Sequence, residues 1–572
     1  MDIQKECKRW VNSHAVDPET KADAVVMLDD EEKLLAAFGG SLSFGTAGLR
    51  GIMGAGTNRM NECTVRQATR GLGNFISGLG ADAMARGVVI AHDCRRRGER
   101  FTMAAAQTLC AMGIKVYVFD ELRPTPELSF AVRELGTIAG INITASHNPK
   151  EYNGYKVYFE DGAQISGEIA ERIQTHIRAI DPLNVPTMEV EEAEKRGLLV
   201  YIGEEIDEKY LAAVLAESLD LSGISEQSRK LKVVYTPFHG TGYRLVPEAL
   251  KRLSINVVPV EEQMIVSGEF PTVKSPNPEE KEGFAPGVKK AKEVGADLII
   301  ATDPDADRVG VGCLDKNGGI TLLTGNQVGI LLSDFIIRNL RETGKMPPNP
   351  AIITSIVSTR MVKEICAAEG VDYFEVLTGF KYIGEHIKQF EEKHDHSFIF
   401  GFEESYGYLK GSYARDKDSV IATVLIAQMA MYYKDQNKTL PEALEALYKK
   451  YGRYEEKVVS FKIGGTDPQE NMKEMLSALR RSSPEKVAGL AVRRVGDFLT
   501  GEYTDKDGGT EQTGLPKSDM LHFTFEDGSV VIVRPSGTEP KVKLYILTRG
   551  KDKAACDKKI KNFEKEFGAM LQ

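Results

Sequence analysis

Apolar residues in this chain fall into short dense runs separated by longer helical segments. Residues 65–79 read as a helix, Gly87-Val-Val-Ile-Ala-His-Asp93 as a buried strand, 101–112 as a second helix and 114–119 as a second strand. The run at 138–143 is another strand. The same rhythm returns at 231–235, 296–301, 351–356 and 398–402, with helical stretches from Thr324 to about 340 and over 359–369. Strands alternating with helices predict mixed, largely parallel α/β sheets, whose reactive loops gather at the carboxyl ends of strands. Residues 1–38 predict peripheral helices with Trp10 anchoring an amphipathic face. The acidic stretch 188–222 reads as a helical crossing between domains, 310–319 as hairpin-like, and 440–457 as charged helix.

At 572 residues the chain exceeds one core, and three or four domains are expected. A formal charge of -10 argues against nucleic acid or an anionic membrane surface as the main partner, though local Arg and Lys clusters can still hold small anions. Seven scattered cysteines with no C-x-x-C pair suggest reduced thiols. The start has no apolar signal core and no run of about 18 apolar residues occurs, so a cytoplasmic protein is expected.

Chemistry concentrates where strands end. After the strand at 138–143 comes Thr-Ala-Ser146-His147-Asn-Pro149, where Asn before Pro disfavours helix and leaves Ser146 in a reaction-type loop. The strand at 296–301 runs into Thr-Asp303-Pro-Asp305-Ala-Asp307-Arg308. If extended, that stretch points three carboxylates one way, a set of hard oxygen ligands suited to Mg²⁺. An EF-hand is excluded, because Arg308 and Leu314 stand where it needs Gly and Glu. A Mg²⁺ phosphatase with Asp303 as nucleophile is the rival reading. Gly78-Leu-Gly80 lacks a third glycine and a preceding strand, so no dinucleotide site is expected there. His239, in Thr236-Pro-Phe-His-Gly-Thr-Gly242, reads as structural.

Thr144-Ala-Ser-His-Asn-Pro-x-x-Tyr-Asn-Gly-Tyr-Lys156 resembles the phosphoserine loop of the α-D-phosphohexomutases, the phosphoglucomutase/phosphomannomutase superfamily. Four further strings resemble that family in its order: Phe44-Gly-Thr-Ala-Gly-Leu-Arg50-Gly, the Asp303–Arg308 string, Gly401-Phe-Glu403-Glu-Ser405 and Arg534-Pro-Ser536-Gly537-Thr538-Glu-Pro-Lys541. Phe402 stands where many members have Gly. The resemblance implies an α/β fold of three similar mixed domains plus a C-terminal α+β domain around a central cleft, at about 1–205, 206–323, 324–457 and 458–572. It implies that Asp303, Asp305, Asp307 and the phosphoserine at 146 bind Mg²⁺. His147, Lys156 and Arg50 are the implied acid–base and catalytic candidates. Thr378, Gly379, Lys381, Glu403, Ser405, Arg308, Arg415, Lys417, Arg534, Ser536, Gly537 and Thr538 are the implied sugar-phosphate ligands. A glucose 1,6-bisphosphate activator follows, since lost serine phosphate must be replaced. Chain length, the N-terminal helical region, Glu403-Glu404-Ser405-Tyr406 and Arg415-Asp-Lys-Asp418 together resemble the bacterial phosphoglucomutase group related to phosphopentomutases, which favours glucose phosphates, with mannose or pentose phosphates as the alternative.

Overall fold

The computed structural model of the protein describes residues 2–44, 48–314, 319–464, 468–536 and 541–571. The amino-terminal helices Ile3–Asn12, Pro18–Met27 and Glu31–Phe38 are each capped by an aspartate and close on a small core of their own. Trp10 is fully buried there, edge-on to Phe38.

Three α/β units follow. The first sheet has the strand order Gly48–Ile52, Tyr152–Phe159, Ala139–Ile143, Val88–His92, Val116–Phe119 and Leu199–Ile202. Leu199–Ile202 corrects the reading of 188–222 as helical throughout. It is only four residues long, lies between the acidic helices Val190–Lys195 and Glu204–Ala216, and adds a parallel edge strand. The second sheet runs Ile320–Leu323, Val309–Leu314, Leu298–Thr302, Lys232–Thr236 and Asn256–Pro259; the third runs Asp372–Val376, Pro350–Ser355, Ser397–Glu403 and Gly407–Leu409.

The three sheets share one device. A central strand (Ala139–Ile143, Leu298–Thr302 or Ser397–Glu403) lies parallel to one neighbour and turns back into an antiparallel partner on its other side. Each turn contains a non-glycine residue in the left-handed region: Ser146 at φ 52°, Ala306 at φ 53° and Tyr406 at φ 68°. A continuous apolar core runs through all three units, so the three turns are held in one frame.

The fourth sheet is antiparallel, with Arg453–Lys462, Lys541–Gly550, Val530–Pro535, Leu521–Phe525 and Leu490–Asp497 as successive neighbours. The charged helix ends at Tyr451, and the strand Arg453–Lys462 runs across the boundary expected at 457. This unit docks on the third through an apolar contact in which Ile356, Val357 and Leu377 meet Phe498, Met520, Ile532 and Tyr545.

Candidate active site

Ser146 is buried, and its loop is built around a residue the sequence reading overlooked. Arg95 donates through Nη1 to the carbonyls of Pro149 and Tyr152, and through Nη2 to those of Ser146 and Asn148, at 2.5–2.9 Å. Its Nε lies 3.2 Å from Asp93, which also accepts from Thr144 Oγ1 at 2.6 Å; that hydroxyl in turn receives the Ser146 amide at 2.9 Å. One guanidinium therefore fixes four loop carbonyls, a task matched to its planar fork of donors.

The metal-loop aspartates converge, but not by extended alternation. Residues 303–308 turn: the Ala306 amide donates to the Asp303 carbonyl at 3.0 Å, and the amides of Asp307 and Arg308 donate to Asp303 Oδ1 at 3.0 and 2.9 Å. Pro304 interrupts the extended ladder, and the chain wraps around the first carboxylate instead. One ligand atom from each of Asp303, Asp305 and Asp307 lies within 4.8 Å of the others, and all three are buried.

The serine and metal loops meet directly. Ser146 Oγ donates to Asp303 Oδ2 at 2.8 Å and lies 3.2 Å from His147 Nδ1. Thr125, at the start of a first-unit helix, donates through Oγ1 to Asp305 Oδ2 and through its amide to the Asp305 carbonyl, each at 2.8 Å. Lys156 Nζ is 2.8 Å from Asp305 and 3.5 Å from Asp307; Lys417 Nζ is 3.1 Å from Asp307 and 2.8 Å from Asp416. Asp305 Oδ1 and Asp307 Oδ1 are buried without a hydrogen-bond partner. Hard, orphaned carboxylate oxygens in one small volume fit a Mg²⁺ ion.

The electrostatics agree. Burial and the charges of Asp305 and Asp307 push the Asp303 carboxyl well above the usual carboxylate range. Burial opposes ionisation of Asp305 as well, but Lys156, Asp303 and Thr125 outweigh it and hold its carboxyl low. Burial disfavours the Lys156 charge, yet Asp305 and Asp307 raise its ammonium above the ordinary value, so Lys156 stays a cation. Burial, then Arg308 and Arg50, push His147 well below the usual imidazole range and leave it neutral. Arg50 is exposed and reaches Asn148 Oδ1 at 3.3 Å.

Opposite lies the third unit's loop. Glu403, at the end of its strand, accepts from the Gly379 amide at 2.7 Å, which ties it to the Thr378–Gly379 bend that opens the helix Phe380–Lys393, and Lys381 stands in that helix's first turn rather than in a loop; Thr378 Oγ1 is buried without a partner. Lys381 packs over the Tyr382 ring, and burial lowers its ammonium. Phe402 points away from the cleft and stacks near Phe400 and Tyr408. Room for it comes from Gly329, where a Cβ would sit 2.3 Å from the Phe402 ring. Glu404 accepts from Ser355 Oγ at 2.9 Å, and burial beside Glu403 pushes its carboxyl up to about 7. Arg415 does not join this group. It is buried against Glu391, with its amide 2.8 Å from Ser129 Oγ on the seam with the first unit.

In the fourth unit Arg534 donates to Tyr545 OH at 3.4 Å, and the Ser536 amide donates to the Lys541 carbonyl at 2.8 Å. Gly537 and Thr538 lie outside the described residues. Lys543, directly across from Arg534 on the neighbouring strand, brings a second cation that the sequence reading missed. Its period-two spacing from Lys541 was the available signal. His239 is bonded to the Ile265 carbonyl and Thr272 Oγ1, and the amide of nearby Thr241 donates to the Pro304 carbonyl at 2.8 Å; this turn buttresses the metal loop.

Models of phosphoglucomutase/phosphomannomutase alpha/beta/alpha domains I, II and III match residues 41–184, 208–318 and 324–451, and the model of the family's C-terminal domain matches 476–557. A phosphoglucomutase of Staphylococcus aureus (strain MSSA476) is 38% identical over 515 residues, spanning 89% of this chain and 90% of that protein. The chain belongs to the phosphoglucomutase/phosphomannomutase family. A Staphylococcus epidermidis phosphoglucomutase is equally similar, at 38% over 512 residues, 88% of this chain and 90% of its own length. Among solved structures, a putative phosphomannomutase from Thermus thermophilus superposes with a TM-score of 0.67 at 22% identity, covering 93% of this chain and 99% of that one. The open form of a Paramecium phosphoglucomutase, pp63/parafusin, gives 0.66 at 17%, covering 93% and 96%. Those two share the four-unit fold of this family member.

Proposed function

We propose that the protein is a phosphoglucomutase, interconverting glucose 1-phosphate and glucose 6-phosphate through a phosphoserine at Ser146 and a glucose 1,6-bisphosphate intermediate. The observation that carries this reading is the Ser146 hydroxyl, 2.8 Å from Asp303 within a buried three-carboxylate cluster that has two unpartnered oxygens. The named relatives, similar over nearly their whole length, support glucose as the sugar. Domains at about 1–205, 206–323, 324–457 and 458–572 would each carry one loop into the cleft.

Asp303, Asp305 and Asp307 would hold Mg²⁺, with an oxygen on Ser146 completing the set. Bound there, the ion would withdraw charge from the phosphoryl group. Phosphoryl transfer demands position and charge stabilisation more than covalent assistance, which suits this frame of fixed side chains. Lys156 and Lys417 hold the carboxylates and offer cations toward the transferring group. The phosphoryl group would pass from Ser146 Oγ to a sugar hydroxyl while that hydroxyl's proton passes the other way, to Ser146 Oγ, and neutral His147, 3.2 Å from Oγ, is placed to relay it. Glu403 and Ser405 would bind sugar hydroxyls, aided by Thr378, Gly379 and Lys381. Arg534, Ser536 and Lys543, with Gly537 and Thr538, would grip the phosphate that is not reacting. The bisphosphate must turn around between steps, so that grip must accept both orientations. No described helix is long and apolar enough to cross a membrane, and we place the activity in the cytoplasm, on small sugar phosphates.

The test compares kcat/KM for the 1-phosphates of glucose, mannose and ribose, with Mg²⁺ and the matching bisphosphate, beside Ser146→Ala. A lead for glucose that vanishes in Ser146→Ala is expected. A lead for mannose or ribose overturns the substrate, and phosphate release that survives Ser146→Ala overturns the mutase.

A further inference from the structure

The proline-rich connection at 271–286 carries none of the loops that meet at the site, yet it delivers the side chain to which Arg308 is bonded. Pro276 and Pro278 flank Asn277, whose Oδ1 accepts from the Glu279 amide at 3.1 Å and whose carbonyl accepts from the Glu280 amide at 2.9 Å. Two fixed φ angles and a side-chain cap make this turn stiff. It presses on the strand that follows Arg308. Gly310 makes the approach feasible, because a Cβ there would lie 2.6 Å from the Pro278 carbonyl oxygen. The turn ends with Glu279 Oε1 2.8 Å from Arg308 Nη1.

Arg308 needs such a partner. Its amide is already bound to Asp303, and its guanidinium lies amid the charges of Glu279, Asp307, Asp303 and Glu403. Its Nε is buried, has no hydrogen-bond partner and stands 3.9 Å from Asp307 Oδ1. Freed from Glu279, the guanidinium could swing onto that orphaned aspartate oxygen, since two buried opposite charges so close attract strongly. Held by one corner, it keeps an unused edge for a ligand oxygen between the metal and sugar loops.

We propose that Glu279 is a positioning residue for sugar-phosphate binding: it pins Arg308 by Nη1 so that the remaining guanidinium edge serves the ligand rather than the metal-loop aspartates. The inference rests on Arg308 acting as a ligand of the sugar phosphate.

Calorimetric titration of glucose 6-phosphate into Ser146→Ala protein, which should bind without turnover, tests the role of Glu279 apart from the reaction itself. Adding Glu279→Ala should weaken Kd by about tenfold, the scale of one charge-assisted hydrogen bond. Glu279→Gln, which can still accept from Nη1, should recover most of that loss. In an Arg308→Ala background Glu279→Ala should change nothing further. In turnover assays with Ser146 intact, the loss should appear in KM more than in kcat. An unchanged Kd in Glu279→Ala, or the same tenfold loss on top of Arg308→Ala, overturns the positioning role. Absence of any glucose 6-phosphate binding to the Ser146→Ala parent overturns the mutase reading, and the inference with it.

Discussion

The two sides of the cleft are built to different standards. On the serine–metal side, three units are locked together by buried charged and polar contacts. Thr125 and Lys156 of the first unit reach Asp305 of the second, Lys417 of the third reaches Asp307, and Ser419 Oγ donates to the Ala306 carbonyl at 2.6 Å. The metal loop is also tied to the sugar loop, through the Val309 amide and the Tyr406 carbonyl. On the phosphate side Arg534 is bonded within its own unit, and the fourth unit is anchored mainly by apolar contact behind the cleft. Apolar contact is non-directional, whereas buried charge pairs hold only in narrow geometry. The difference matches the two tasks proposed for them: one side would place a phosphoryl group, and the other would hold either phosphate of two substrates.

The comparison breaks first at Arg95. Arg95→Lys replaces a fork holding four carbonyls with a single ammonium, and should lower kcat about a hundredfold and stability by about 2–4 kcal/mol. Steady-state kinetics and urea unfolding measure both, and a near-normal kcat would show the serine loop to be self-supporting. Next comes the cation. Mg²⁺ at about a hundred times its Kd should stabilise the protein by about 2–3 kcal/mol, an effect seen as a higher Tm that EDTA reverses and Asp305→Asn abolishes. On the looser side, Arg534→Gln should raise KM about tenfold with kcat nearly intact. A larger fall in kcat than in affinity would mean that this side, too, sets transition-state geometry.

The smallest effect is a pH dependence at the sugar loop. Folded Glu404 titrates at about 7, against about 4.3 when unfolded, so the folded state keeps the proton longer. Its stabilising contribution is complete below about pH 4 and is lost as pH rises through 7. Glu404→Gln should flatten the decline in Tm between pH 5 and 8 by the equivalent of about 1–2 kcal/mol, the full shift being reduced by partial exposure. Glu456, likewise pushed up to about 7, leaves a residual slope in the same direction.

Much of the site was legible because its loops are continuous strings. Ser146, the three aspartates and Glu403 each follow or close a dense apolar strand, and the polar strings at those strand ends carry the resemblance that singled them out as candidates. Arg95 was not legible. It stands in Cys94-Arg-Arg-Arg-Gly98, where three arginines in a row look like a solvated turn, and the four carbonyls it holds lie more than fifty residues away. Lys417 and Arg415 show the same limit. They are two residues apart in one string, yet one joins the aspartates and the other the seam with the first unit. The bend at 303–308 escaped an alternation argument because Pro304 and the Asp303 caps decide it. The strand Leu199–Ile202 escaped because four residues carry too little pattern against two acidic helices.

The left-handed turns bear on how the enzyme should be disarmed. Ser146 occupies a backbone region that suits glycine better than any residue with a Cβ, at a cost of about 1–2 kcal/mol for the latter. Alanine would remove the hydroxyl and keep that strain; glycine would remove both. A pair of proteins carrying Ser146→Ala and Ser146→Gly should therefore be equally inert in turnover while differing in how firmly the emptied loop grips its ligand. Their difference isolates conformational tension from chemistry.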